Sequence, residues 1–239
     1  MERHFEQELE QLRSKLLAMS ALVESAVYHS VTAVVRTDRK LAGEVLQNEG
    51  RVNRMQIEID EQAVSLLALH QPMACDLRLI TAAIKINIDL ERMGDLAVNI
   101  AERALSLMDE PVVLHWIDIP HIAALVQNMV RESLDAFISK DAALAQRVLS
   151  SDDAVDALRT AFFHELISFM QSEPNHIPQG INLLSIVRNL ERVADHATNI
   201  AEDVLFYAKG IDVRHHAAVV GKDESPGLEP KDPSPSDGL

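Results

Sequence analysis

The chain has 239 residues, of which 47% are hydrophobic and 25% charged, with a net charge of −15. This length accommodates one large or two modest domains, each with its own core. The negative charge argues against non-specific binding to nucleic acid and against direct adhesion to anionic lipid, because both need a basic surface. The single cysteine, Cys75, excludes an intrachain disulfide and a thiolate metal cage, and we expect it to be buried and inert.

Targeting features are missing from the sequence itself. The first residues carry no apolar signal region, and no stretch reaches the roughly 18 uninterrupted apolar residues of a membrane span. We therefore expect a soluble, cytoplasmic protein without nucleic-acid partners.

The first half of the chain has the apolar periodicity of three long helices. Aromatic residues make up only 4% of the chain, and glycine and proline are few, which disfavours a sheet protein. Apolar residues recur every three or four positions from about 4 to 35. Thr37 or Asp38 is placed to cap a second helix. Pro72 marks the joint before a third helix, which is predicted to end near Met108.

The second half repeats this plan, with helices predicted over 121–139, 141–170 and 181–207. We therefore assign residues 1–110 and 115–210 to two three-helix units. Residues 211–239 are rich in Pro, Ser, Asp, Glu and Gly, and we expect most of them to form a disordered tail.

An internal duplication relates the two halves. Residues 90–102 read LERMGDLAVNIAE and residues 190–202 read LERVADHATNIAE, with nine identical positions out of 13. Around the second and fifth helices the equivalent positions are 103 apart, so that Asp38 matches Asp141. Such a repeat predicts an all-α fold of two tandem three-helix bundles related by internal duplication.

Acidic residues fall on one face of the third helix and of the sixth. With about 100° of rotation per residue, the third helix presents them opposite its apolar positions, and the sixth repeats the arrangement. These residues are Glu91, Asp95, Asn99 and Glu102, with Glu191, Asp195, Asn199 and Glu202. A solvated outer face usually alternates acids with lysines, whereas here like charges lie four apart, at a cost in energy. A hard cation would offset that cost, so a solvated face and a metal site both remain open.

The neighbouring helices carry their own polar stripes, and these differ between the copies. The second helix has Glu49, Asn53, Gln56 and Asp60. The fifth begins similarly with Asp152 and Asp156 but continues with Arg159 and Phe163. We therefore expect any two metal sites to be unequal.

Other candidate chemistries find little support in the sequence. No histidine pair has the spacing of a di-metal bundle, and no phosphate loop or nucleophile motif is present. The protein is thus predicted not to be an enzyme. His196, which replaces Leu96 in the second copy, is interpreted as local packing, and His215 with His216 as an exposed pair. Arg92 and Arg192 are expected to pair with neighbouring carboxylates.

These sequence features resemble the PhoU family, the accessory proteins of bacterial phosphate-specific transport. The matching segments are 71–80, QPMACDLRLI, both LER-x-x-D signatures, and 207–215, YAKGIDVRH. The resemblance covers the chain up to about His215. It implies two three-helix bundles related by a pseudo-two-fold axis, and a negative regulator of phosphate uptake and phosphate-starvation signalling. It also implies an adaptor, in the cytoplasm, between the ATPase of a phosphate ABC importer and a PhoR-like sensor histidine kinase. A homodimer is expected by family likeness and because most soluble oligomers are symmetric dimers.

The resemblance also implies metal binding, since some family members hold iron or other metal clusters through E/D-x-x-x-D motifs. Here the motifs are Glu91 with Asp95, Asp152 with Asp156, and Glu191 with Asp195. The fourth reads Glu49-x-x-x-Asn53, with an amide in place of a carboxylate. The expected cofactors are divalent or ferric ions such as iron, zinc or magnesium. The alternative function is a carboxylate-bridged metal-storage protein or a metal-dependent bundle enzyme.

Overall fold

The computed structural model describes residues 2–109, 118–211 and 213. This part of the chain contains six α-helices and no strand, which confirms the all-α prediction. The helices are α1 (Glu2–Arg36), α2 (Arg39–His70), α3 (Ala74–Met108), α4 (Ile119–Ser139), α5 (Ala142–Ser172) and α6 (Ile177–Lys209), with a 3-10 turn at Pro174–His176. The predicted tail lies outside the described residues, except for Ile211 and Val213.

Equivalent aspartates begin the second helix of each repeat. The Asp38 carboxylate accepts hydrogen bonds from the backbone N–H groups of Lys40 and Leu41, at 3.0 and 3.2 Å. The Asp141 carboxylate accepts from Ala143 and Leu144 at 2.8 and 3.0 Å. Each carboxylate satisfies N–H groups that have no partner within the helix. The duplication has thus kept the cap as well as the apolar pattern.

Two helices begin earlier than the sequence predicts. The prediction placed the start of α4 at His121 and of α6 at Ile181, on the view that prolines mark joints. Instead Pro120 and Pro178 lie in the first turn of α4 and α6. A proline is tolerated there because its missing N–H group would have no helical partner.

Each repeat buries its apolar stripes in a three-helix bundle. Leu12, Leu16 and Met19 of α1 are almost fully buried against α2 and α3, and the second repeat packs α4, α5 and α6 in the same way. The helix His4–Arg36 contains an 18-residue window with a mean hydropathy of 1.3, so by length and composition alone it could cross a membrane. The core helix of a soluble bundle meets the same criterion, and α1 packs as such a helix.

The two repeats are joined mainly through α3 and α6, which make the most extensive interhelical contact. The Lys85 ammonium lies 2.9 Å from a carboxylate oxygen of buried Asp203. The Asp89 carboxylate is bonded to His196 Nδ1 at 2.7 Å and accepts from the Asn199 amide at 3.2 Å. The prediction of local packing for His196 was therefore wrong, because its ring bonds to the other repeat.

The register of α3 and α6 is antiparallel and consistent with a two-fold axis. Lys85 meets Asp203, and one turn further Asp89 meets Asn199. Continued inward, this register brings Gly94 level with Ala194, which are equivalent positions of the two repeats. These polar contacts of Lys85 and Asp89 lie on one side of that centre. On the other side, the positions equivalent to Lys85 and Asp203 are Ser185 and Arg103.

We expect Lys85→Met to lower the free energy of unfolding by about 1–3 kcal/mol, because the substitution removes the cationic partner of a buried carboxylate. Chemical denaturation monitored by circular dichroism measures this change. The matched control is Arg103→Met, on the exposed opposite arm of the same interface, for which we expect a change within about 0.5 kcal/mol. Equal effects of the two substitutions would contradict this account.

Candidate functional site

The acidic residues of α3 and α6 lie partly between helices. Asn99 and Glu102 face solvent, but Glu91 and Asp95 are half-buried because α2 packs across them. Gly94 permits this close approach, since a Cβ atom at that position would lie 3.3 Å from a Val52 methyl group. The acidic stripe therefore borders the α2–α3 groove and is not a purely solvated face.

The first repeat brings acidic and amide side chains from two helices together. Glu49, Asn53 and Asp95 line the same small cavity between α2 and α3. Burial raises the pKa of Glu91, and the charge of Asp95 raises it further, while Arg92 acts in the opposite direction. Arg92 lies 3.7 Å from the Glu91 carboxylate, as expected for a neighbouring ion pair.

The buried side-chain amide of Asn87 joins α3 to α2 beyond this small cavity. The Asn87 amide nitrogen donates to the Gln56 carbonyl oxygen and to the Asp60 carboxylate, both at 2.9 Å. Asn87 is fully buried, and its side-chain oxygen has no hydrogen-bond partner in the part of the chain that the structure describes. Asp60 is thereby engaged in tying α2 to α3.

The second repeat gathers four carboxylates between α5 and α6. Burial raises the pKa of Asp152 to about 6, and the charges of Asp195, Asp156, Asp153 and Glu191 add to this effect. Burial also raises the pKa of Asp195, and Asp156 raises it further. We call Asp152, Asp156, Glu191 and Asp195 the acidic cluster.

The side chain of Arg159, on α5, borders the acidic cluster at one end. An Arg159 guanidinium nitrogen lies 3.4 Å from a Glu191 carboxylate oxygen. Arg159 stands where the first repeat has Gln56, so the second stripe ends earlier, as the sequence indicates. At the other end of the acidic cluster, Asp152 lines an open cleft together with Arg147 and Glu202. A dissolved ion can reach the cluster through this cleft.

The acidic cluster fits a hard cation by its chemistry. Its donors are carboxylate oxygens, and the pKa values of Asp152 and Asp195 are raised by burial first and by neighbouring carboxylates second. Among the described residues, however, no three His, Cys, Asp or Glu side chains converge as a ready metal site. Coordination would require the carboxylates to turn toward a common ion.

Cys75 differs from its predicted role as a buried residue. It is exposed at the start of α3 and accepts a hydrogen bond from the Lys140 ammonium at 3.4 Å. The same ammonium lies 4.6 Å from the centre of the Tyr207 ring. The expectation failed because the start of α3 lies at the end of the bundle, where apolar cover is incomplete.

Comparison with known proteins decides the family. The PhoU domain matches residues 16–104 and again 119–204, one match for each repeat. The chain belongs to the PhoU family. A phosphate-specific transport system accessory protein PhoU homolog of Pseudomonas aeruginosa is 42% identical over 223 residues, which cover 93% of this chain and 92% of that protein. A homolog from Caulobacter vibrioides is 39% identical over 87% of this chain and 91% of its own length.

Solved PhoU structures share the fold. The crystal structure of PhoU from Pseudomonas aeruginosa has a TM-score of 0.84 and 42% identity, and covers 87% of this chain and 100% of its own. The phosphate transport system regulatory protein PhoU from Streptococcus pneumoniae has a TM-score of 0.80 and 29% identity over 87% of this chain and 99% of its own. The prediction of a duplicated helical fold of the PhoU family is thus confirmed.

Removing one carboxylate should lower the pKa of another in the acidic cluster. We expect Asp156→Asn to move the pKa of Asp152 from about 6 toward 3.8 without reaching it, because burial is the larger cause. Carboxyl ¹³C chemical shifts followed through a pH titration measure this value. Asp135→Asn, on an exposed position of α4, is the control and should leave the Asp152 pKa unchanged.

The raised pKa of Asp152 also changes how the stability of the folded protein depends on pH. A carboxyl that binds its proton more tightly in the folded state destabilises the fold above that pKa, and the penalty disappears as the pH falls from about 6 toward 3.8. We therefore expect Asp152→Asn to unfold at a higher temperature than the parent protein at pH 7.5, with the difference shrinking by pH 4.5. Both proteins are treated with chelator first, because a metal ion held by Asp152 would stabilise the parent. A difference that grows on acidification would contradict this assignment.

Proposed function

We propose that this protein is a negative regulator of phosphate uptake and of phosphate-starvation signalling. Its role in the regulation of phosphate transport rests on one observation: both repeats match the PhoU domain, and relatives named as phosphate-specific transport accessory proteins align along nearly the whole chain. We propose further that it acts in the cytoplasm as an adaptor, contacting the ATPase subunit of the phosphate ABC importer and a PhoR-like sensor histidine kinase. It would reach the membrane only through these proteins.

The names of the relatives and the composition of the chain support the adaptor role. The relatives are named as accessory and regulatory proteins and not as enzymes, and the sequence carries no known catalytic motif. A net charge of −15 disfavours nucleic acid as a partner. We also propose a homodimer, which light scattering of the purified protein tests directly.

Metal binding is a second part of the proposal. Glu49, Glu91 and Asp95 would contribute oxygen ligands in the first repeat, and Asp152, Asp156, Glu191 and Asp195 in the second. Divalent or ferric ions such as magnesium, zinc or iron would compensate the crowded negative charge. The second site is expected to be stronger, because it has four carboxylates where the first has an amide at Asn53.

The acidic cluster also supports one alternative function, that of a carboxylate-bridged metal-storage protein or a metal-dependent helical-bundle enzyme. Such an enzyme usually has histidine ligands at helical spacing. Catalytic turnover that disappears in an Asp95→Ala/Asp195→Ala double variant would favour this alternative over the adaptor.

Deletion of the gene should derepress phosphate-starvation genes in phosphate-rich medium, because the proposed negative signal to the kinase is lost. Transcript levels of those genes, compared at high and low phosphate, measure the effect. Complementation with the parent gene is the control. Expression that stays phosphate-responsive without the protein would rule out the proposed role.

Protein purified without chelator should contain less metal after Glu191→Gln, because one oxygen donor of the acidic cluster loses its charge. Glu91→Gln should have the smaller effect, since the first site is the weaker one. Elemental analysis of metal per chain measures both. The exposed Glu102→Gln is the control. Metal contents unaffected by either substitution would show that the stripes are ordinary polar faces.

A further inference from the structure

Two histidines and one glutamate join the beginning of α1 to the end of α2. His4 and Glu8 lie one turn apart on the same face of α1, and His70 is the last residue of α2. One oxygen of the Glu8 carboxylate is 2.7 Å from His70 Nε2, and the other is 3.3 Å from His4 Nε2. We call these three residues the His–Glu–His cluster.

The His–Glu–His cluster lies in a part of α1 that α4 does not share. The α1 helix has 35 residues and α4 has 21, and α4 begins at Ile119, the equivalent of Leu16. Residues 2–15 of α1, which include His4 and Glu8, therefore have no counterpart in α4. The position equivalent to His70 is Glu173. The duplicated fold thus does not account for the cluster.

The donor atoms of the His–Glu–His cluster suit a zinc ion. Two imidazole nitrogens and one carboxylate are a set of three ligands that zinc takes in proteins, with a fourth position left to water. Imidazole ligands also favour zinc over magnesium and calcium, which prefer oxygen donors. The cluster therefore differs in kind from the acidic cluster, in which all four side chains are carboxylates.

The three side chains are near a zinc-binding arrangement but do not yet meet at one point. Two ligands of a tetrahedral zinc ion are about 3.4 Å apart, and the contact of His4 with Glu8 is 3.3 Å. The ring centres of His4 and His70 are 6.4 Å apart, so the rings must approach each other to share an ion. The His4 side chain is 72% exposed and can turn, whereas the His70 ring packs 5.0 Å from that of Phe5. Rotation of one exposed side chain would complete the site.

The surroundings of the His–Glu–His cluster admit a cation. Glu8 also lines an open cleft between α1 and α2, together with Glu58 and Glu61. Lys15 lines the same cleft, and its ammonium lies 3.7 Å from the Glu58 carboxylate. Three carboxylates and one ammonium leave the cleft with a net negative charge, which attracts a zinc ion toward Glu8.

We propose that His4, Glu8 and His70 bind one zinc ion, with water as its fourth ligand. Each ring would turn its Nε2 lone pair toward the ion and keep its hydrogen on Nδ1. The ion would link the first turn of α1 to the last turn of α2 and so hold these two helix ends together. This site is separate from the acidic sites of the proposed function and does not depend on the adaptor role.

Zinc titration of the full-length protein tests this proposal. The protein is first treated with chelator and then kept in excess Mg²⁺, which competes for carboxylate sites but not for imidazole. We expect zinc to shift the ring ¹⁵N signals of His4 and His70, which are assigned by comparison with His4→Gln and His70→Gln. Each substitution should weaken zinc binding at this site by at least about tenfold, since even the loss of a residue that only orients a metal ligand costs about 10–100-fold. NMR spectroscopy and titration calorimetry measure the two effects.

The matched control is His164→Gln, which removes an exposed histidine of α5 and should leave the zinc affinity unchanged. Glu191→Gln, in the acidic cluster, should leave the His4 and His70 signals responsive to zinc. Circular dichroism in chelator shows whether each variant folds, and the exposed His4→Gln provides the test if His70→Gln does not.

Ring signals of His4 and His70 that do not move with zinc would overturn the proposal, and so would parent-like zinc affinity in the folded histidine variants. Zinc held by the acidic cluster alone would give that result. The proposed regulatory function would stand in either case, because it is tested by the expression of phosphate-starvation genes.

Discussion

The antiparallel contact of α3 with α6 is the constraint on which the rest of the molecule depends. Each helix belongs to a different repeat, and each also packs against the other two helices of its own bundle. One face of α3 is therefore fixed by α6 and another by α2, and the acidic stripe lies along the α2 border. A shift in the α3–α6 register would separate Lys85 from Asp203 and Asp89 from His196, and it would leave buried carboxylates without these partners.

Much of this arrangement follows from short-range sequence patterns. The 13-residue signature, repeated after 100 residues, predicts the duplication because nine identities in 13 positions far exceed what chance would give. Asp38 and Asp141 mark helix starts through a local hydrogen bond that involves only three residues. The stripe of Glu91 and Asp95 is visible because helical rotation alone brings residues four apart onto one face.

The features that the sequence did not reveal depend on contacts between distant segments. His196 occupies an apolar position of the signature, and only the α3–α6 contact explains the imidazole, since its partner is Asp89, 107 residues away. Asn87 likewise lies on the core face, and its partners are on another helix. A polar residue in an otherwise apolar stripe was the available signal in both cases, although it does not name the partner. The starts of α4 and α6 were misplaced because a proline can either break a helix or begin one.

The inter-repeat register also determines which bundles are able to pair. If the first repeat paired with a copy of itself in the same register, Lys85 would face Arg103, and Asp89 would face Leu96 and Asn99 without an imidazole. Like charges would then meet, and a buried carboxylate would lose its main partner. A repeat paired with its own twin is thus disfavoured, whereas the two unlike repeats of one chain complement each other. After the duplication the two sides of the α3–α6 contact became different. The first repeat therefore pairs better with the second repeat of its own chain than with the first repeat of another chain.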